Sequence, residues 1–315
     1  MKQSLLILVL NLSATVAYSI DESVIDIDYD NYIPKHTYAL RPSEESTSLS
    51  WAMKNSAAEE LTAEQIAQLP SKVDFSNSIK AIHDQGVLGS CTAQAITLAM
   101  EYKLGEMDHY QRLSPLFLYY NERKLMGTTQ EDTGASLSDG IKAICTWGVC
   151  RESLWAYSDD MKKFKIKPSK EAYEDGKNYM GLDGIKTSYV SYSLESIKAR
   201  LAKGIPVVFG VYIYPSFESV TAEKTGKIPM PSARERSIGG HALMFTGYND
   251  ETKEFKFANS WGTKWGDKGF GYLQYDYVMN VGAVSYRPYF FANDIWSIDK
   301  IGQEEQLTNG EEAAA

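Results

Sequence analysis

Gln85-Gly86-Val87-Leu88-Gly89-Ser90-Cys91, Gly239-Gly240-His241-Ala242 and Asn259-Ser260-Trp261-Gly262 are the three stretches that decide how this chain is read. His241 lies 150 residues and Asn259 168 residues beyond Cys91. A cysteine, a histidine and an asparagine are candidates for a nucleophile, an acid–base and an orienting amide. Each stretch alone has a plainer reading. A cysteine before an alanine-rich helix is usually packing, a lone histidine before a strand is a satisfied polar group, and Asn-Ser-Trp-Gly can be a turn. All three in sequence point instead to nucleophilic catalysis.

Working outward from Cys91, the residues Ala93, Ile96, Ala99, Met100 and Leu104 fall near helical spacing, with Ser90 placed to cap and Gly105 to terminate. Cys91 is therefore expected in the first helical turn, where unpaired N–H groups and the helix dipole lower a thiol pKa. A free thiol with a pKa near ~8.5 is only a few per cent ionised at neutral pH and needs a neighbour to take its proton. His241 is the candidate. Full ionisation raises the thiolate population only about thirtyfold, or ~2 kcal/mol, and weaker nucleophilicity takes part of that back. An oxyanion hole and an acid for the leaving group must supply more. Asn259 can hold the imidazole in one tautomer without adding charge.

Composition narrows the field. The 315 residues, 43% of them hydrophobic, have room for one large or two modest domains. The net charge of −9 comes from interleaved acids and bases, with no Lys/Arg run to neutralise a row of phosphates, so nucleic acid is not an expected partner. Four histidines and three cysteines form no HExxH or CxxC pattern, and no glycine-rich phosphate loop follows a strand. No metal or organic cofactor is expected. A Cys145–Cys150 bridge would leave Cys91 as the odd thiol, but the short separation across Trp147-Gly148 argues for three free thiols instead.

Met1-Lys2-Gln3-Ser4, the apolar run Leu5 to Leu10, and the small residues Ala14, Ala17 and Ser19 read as a secretory signal peptide over residues 1–17. Asn11 interrupts the run, so a buried helix or membrane anchor is the alternative. Residues 18–68 are polar and acidic and read as a propeptide or N-terminal arm, with Thr62 and Gln65 at capping-box spacing. Residues 301–315 read as a disordered acidic tail. Between them, helical patterns at 115–124, 138–146 and 193–203 give way to short strands at 207–212, 242–247, 254–258 and 271–275. The expectation is an α+β fold with a helical lobe over about 69–185, a β-rich lobe over about 186–300, and the active site in the cleft between them.

From Leu69 to about Ile298 the chain resembles the papain-like cysteine peptidases, most specifically at Gln85 to Cys91, at His241 and from Asn259 to Gly266. Leu69 to Phe75 resembles the start of a mature enzyme. Gly89-Ser90-Cys91-Thr92-Ala93, Gly134 to Gly140 and Trp147-Gly148-Val149-Cys150 look closer to bacterial and viral members than to animal cathepsins. The resemblance implies a two-lobe fold with a barrel-like second lobe, and an endopeptidase working through a Cys91 thioester. It implies Gln85 and the Cys91 N–H as oxyanion donors, His241 as acid–base, Asn259 as its orienting group and Trp261 as a shield over that pair. Gly134 and Ala135 would hydrogen-bond an extended substrate and Ala242 would line the pocket for the second residue before the scissile bond; a turn and a strand residue are the plain alternatives. Protein or peptide substrates, proteinaceous inhibitors, a monomeric state, no membrane contact once the signal is removed, and secretion or a vesicular, lysosome-like lumen complete the expectation. A catalytically silent peptide-binding relative and an acyl transferase or ligase using the same acyl-enzyme are the rival readings.

Two departures stand out. Leu88 occupies the place where most members have a cysteine, and the bridge partner would fall near Asp132, so both halves of that disulfide are absent together. Thr92 replaces the usual tryptophan after the nucleophile. The N-terminal segment also lacks the long pro-helix of larger zymogens, although a shorter arm can still block a cleft.

Overall fold

The computed structural model describes residues 32–43, 61–179, 184–282 and 288–302. The signal-peptide reading at 1–17 and the acidic tail beyond 302 lie outside the described residues. The architecture is α+β. It begins with α1 (Ala63–Ala67), where the expected capping box forms: Thr62 Oγ1 accepts from the Gln65 N–H at 3.2 Å and Gln65 Oε1 accepts from the Thr62 N–H at 2.8 Å.

Helices α2 (Cys91–Glu106), α3 (Pro115–Leu125), α4 (Leu137–Trp147) and α5 (Lys170–Asn178) follow, and α6 (Leu194–Ala202) stands among the strands. The start of α3 shows why the chain turns helical there: Pro115 fills the first position and the Ser114 hydroxyl accepts from the Phe117 N–H at 3.0 Å. The strands are β1 (Lys72–Asp74), β2 (Ile185–Tyr189), β3 (Val207–Ile213), β4 (Gly239–Asn249), β5 (Glu254–Ala258), β6 (Phe270–Gln274) and β7 (Phe290–Ile301). They make one antiparallel sheet in the order β2-β7-β3-β4-β5-β6, with β1 also on β4.

The sheet's period of two divides the core. Val208, Ala242, Met244, Trp296 and Ile298 join the cluster around α2, α3 and α4, whereas Val207, Phe209, Leu243, Phe245 and Ile295 join a second, aromatic-rich cluster. Helix α2 is buried on nearly every side from Cys91 to Tyr102. Its small residues Ala93, Ala95 and Ala99 let neighbours approach closely, and each large apolar side chain buried around it contributes about 1.5–3 kcal/mol. Cys91 therefore stands at the start of a helix buried along most of its length.

Several local expectations are corrected. Ser90 precedes α2, but its hydroxyl makes no capping bond and pairs with the Tyr157 hydroxyl at 2.7 Å. Gly105 lies inside the last turn of α2, and the chain reverses at Asp108, which has φ of 56°. Elements α5, β2 and β7 escape a reading by periodicity. β7 mixes Asp294, Ser297 and Asp299 with apolar residues and is a strand because β2 and β3 pair with it on both sides. It runs through the buried Ile301, opposite Ile185, so the tail begins later than residue 301. Cys91, Cys145 and Cys150 are all free thiols.

Candidate active site

Cys91 is the first residue of α2, His241 lies near the start of β4 and Asn259 follows the last residue of β5. Antiparallel pairing of β4 with β5 brings the last two together: His241 Nε2 is 2.9 Å from Asn259 Oδ1, which also accepts from the Ser260 N–H at 2.8 Å. An acceptor on Nε2 fixes the proton there and leaves Nδ1 as the free lone pair; that atom is buried and has no hydrogen-bond partner among the described residues. The Cys91 sulfur lies against the backbone N–H groups of Ala242, Thr92 and Cys91 itself, and Ala242 directly follows His241. The Trp261 ring stacks over His241 with centroids 5.1 Å apart and planes 18° apart, and Trp265 backs it edge-on at 5.2 Å.

Gln85 is held from both sides. Its N–H donates to the Ser260 carbonyl at 2.9 Å, its Oε1 accepts from the Ser260 hydroxyl at 2.6 Å, and its carbonyl accepts from the Tyr157 hydroxyl at 2.8 Å. The side-chain Nε2 donates to the Leu88 carbonyl at 3.0 Å and to the Thr37 carbonyl at 3.4 Å. Where the missing disulfide would join two loops, the Asp132 carboxylate accepts from the Gly89 N–H at 3.1 and 3.2 Å and from the Tyr119 hydroxyl. Thr92 does not line the surface: it is buried and donates to Glu122 Oε2 at 2.8 Å. Burial pushes the Glu122 carboxyl up to about 8.

The N-terminal arm lies across these groups. The Leu40 N–H donates to the Gly240 carbonyl at 3.0 Å and the Arg41 N–H to the Ala135 carbonyl at 2.9 Å, so the arm is paired to both walls. Gly134, with φ of 66°, admits it closely: a Cβ there would stand 1.7 Å from the Ala39 carbonyl oxygen. Leu40 is buried in the same cluster as Ala242. His36 stacks on Trp261 at 3.9 Å, and Tyr38 meets His241 edge-on at 5.9 Å. One carboxylate anchors the segment: Glu218 accepts from the Tyr32 hydroxyl, the Lys35 and His36 N–H groups and the Tyr38 hydroxyl. Ser43, further along, donates to the buried Asp294 at 2.8 Å.

Burial reverses one electrostatic expectation. It pushes the Cys91 thiol up to about 12, outweighing the backbone N–H groups of Ala242 on β4 and of Thr92 and Cys91 at the helix start, which lower it. Burial likewise lowers His241 to about 4, against the Asn259 hydrogen bond that raises it. Both shifts favour the neutral forms, a thiol at Cys91 and an imidazole at His241.

The structure thus brings Cys91, His241, Asn259, Gln85 and Trp261 to one place, and sets Gly134, Ala135 and Ala242 along the path of the arm. Sequence reasoning did not find Glu218, Asp132 or the arm contacts. The arm contacts combine backbone hydrogen bonds with side-chain bonds between residues far apart in sequence, which leave no mark on composition, and Asp132 carries a sequence signal only as the place of an absent cysteine.

The chain belongs to the papain family of cysteine proteases, whose family model matches residues 69–289, and it is a cysteine peptidase. It is 41% identical over 227 residues to an uncharacterized peptidase C1-like protein of Acanthamoeba polyphaga mimivirus, covering 69% of each chain. It is similar to the crystal structure of xylellain, a cysteine protease of Xylella fastidiosa, with a TM-score of 0.73 and 31% identity over 86% of this chain and 99% of that one. The proform of the ragweed pollen cysteine protease Amb a 11 shares the fold at 19% identity and a TM-score of 0.56, over 85% of this chain and 77% of that one. A viral and a bacterial relative accord with the branch that the motifs suggested.

Proposed function

We propose that the chain is an endopeptidase zymogen in which Cys91 is the nucleophile and residues 18–68 are a propeptide, of which residues 32–43 cover the site. The observation that carries the reading is the buried His241–Asn259 hydrogen bond, which leaves the ring's Nδ1 without a hydrogen-bond partner among the described residues. Once the arm leaves, water and substrate dipoles reach the pair, the burial penalty falls, and the thiol proton moves to His241 Nδ1.

The thiolate then attacks the scissile carbonyl carbon, and the oxyanion is met by Gln85 Nε2–H and the Cys91 N–H. His241 gives its proton to the leaving amine as the C–N bond breaks, leaving a thioester on Cys91. Water, deprotonated by His241, attacks the thioester; the acid product departs and the thiol regains its proton. Asn259 keeps the ring oriented through this cycle and Trp261 keeps water off their hydrogen bond. Gly134, Ala135 and Ala242 hold the extended peptide, since a backbone already pairs with this wall.

The substrates are proteins or peptides, proteinaceous inhibitors bind the same walls, and the enzyme works as a monomer without metal or organic cofactor. Residues 69–300 form the peptidase domain, secreted or held in a vesicular lumen. Mass spectrometry with peptide mapping after exposure to a peptidyl epoxide tests the reading. Labelling confined to Cys91 and lost in His241→Ala is expected; a folded protein that takes no label would turn the weight to a silent peptide-binding relative.

A further inference from the structure

We propose that Asp132 is a positioning residue for the oxyanion hole, aiming Gln85 through the single peptide plane between Leu88 and Gly89. The proposal rests on the reading of Gln85 as an oxyanion donor. The N–H of that peptide belongs to Gly89 and points between the two Asp132 carboxylate oxygens, at 3.1 and 3.2 Å. The C=O of the same peptide belongs to Leu88 and accepts from Gln85 Nε2 at 3.0 Å. A trans peptide is planar, with its N–H and C=O pointing in opposite directions, so fixing one end fixes the other. A charged acceptor on the N–H also polarises the unit and strengthens the carbonyl as an acceptor.

The remaining freedom of the Gln85 amide is removed at its oxygen, which accepts from the Ser260 hydroxyl at 2.6 Å. With Oε1 and one Nε2 proton engaged, the second Nε2 proton has one direction left. There the structure holds a carbonyl, that of Thr37 in the arm, at 3.4 Å. A substrate carbonyl entering the same place meets a donor already aimed.

Asp132 is itself held. It accepts from the hydroxyl of Tyr119, which also takes the Gly134 N–H at 3.2 Å and lies fully buried on α3. The Arg123 guanidinium sits 4.1 Å over the Tyr119 ring and donates to the Thr129, Glu131 and Phe164 carbonyls, which clamps the loop that carries Asp132. The strut therefore runs from a buried helix to the catalytic loop without a covalent bond.

The test uses the full chain and two reactions of Cys91. Alkylation by iodoacetamide needs the thiolate but no oxyanion stabilisation, whereas hydrolysis of a peptidyl nitroanilide needs both. Arm opening scales both rates alike, so their ratio isolates the oxyanion hole. Loss of a whole oxyanion donor costs about 10² to 10³ in rate, and misaiming one is expected to lower the ratio in Asp132→Ala by about tenfold to a hundredfold, through kcat and not KM. Asp132→Asn, which keeps a carbonyl acceptor for the Gly89 N–H, should recover most of the loss, and Tyr119→Phe should fall between. If Asp132→Ala does not fold, Tyr119→Phe decides. An unchanged ratio in the folded variants overturns the proposal while leaving the peptidase intact. Wild-type protein that is alkylated but hydrolyses no peptide overturns the oxyanion reading and the proposal together.

Discussion

Glu218→Ala should release the arm without unfolding the enzyme. Among the described residues the side chain's hydrogen-bond partners, Tyr32, Lys35, His36 and Tyr38, all belong to the arm, so its loss removes hydrogen bonds to the arm and none to the rest of the described enzyme. A hydrogen bond to a charged group is worth about 1.5–3 kcal/mol net, and bonds sharing one carboxylate are not additive. We take about 3–4 kcal/mol for the set, which at ~1.4 kcal/mol per factor of ten is two to three powers of ten in the docking equilibrium. If Cys91 reacts only when the arm is away, its rate of inactivation by a peptidyl epoxide in the full chain is proportional to the open fraction. That rate should rise by about 10² to 10³ in Glu218→Ala, levelling off where the arm is mostly free. The remaining anchors, Leu40 to Gly240, Arg41 to Ala135 and Ser43 to Asp294, limit how far the rise goes. A variant that folds as the wild type does and reacts no faster would falsify the idea that Glu218 holds the cover.

Three further outcomes follow from the same geometry. Asn259→Ala should keep partial activity, with kcat lower by about tenfold to a hundredfold, because the thiol and imidazole survive but the ring loses its partner at Nε2; steady-state kinetics with active sites counted by epoxide would check this. Gln85→Ala should lower kcat by about 10² or more with KM little changed, and a KM effect alone would assign Gln85 to binding instead. Glu122→Gln should gain stability over the wild type as pH rises. The carboxyl's folded-state pKa of about 8 stands above its ordinary 4.5, so the wild type is favoured while the group is protonated and loses stability as pH climbs from about 4.5 through 8, whereas the amide does not titrate. Urea unfolding at pH 5 and pH 8 would show a difference between the two proteins that widens with pH.

The sequence alone determined which reactive groups the chain carries. Cys91, His241 and Asn259 are chemically distinctive residues at telling separations, and the helix after Cys91 and the strands around His241 and Asn259 are written in local periodicity that needs no partner to be seen. The edges of those elements moved by only a few residues, and the capping box at Thr62 formed as read. Tertiary structure decided everything that depends on pairing across distance. β2 and β7 are strands because each completes the other's hydrogen bonds, and Ser90 abandons its cap because Tyr157 arrives from 67 residues away. The same holds for the ionisation of the site. A helix N-terminus lowers a thiol pKa in any sequence reading, but desolvation is set by everything packed around the thiol, which only the folded chain assembles. Local signals report which groups are present; burial and long-range hydrogen bonding fix the state in which they are kept.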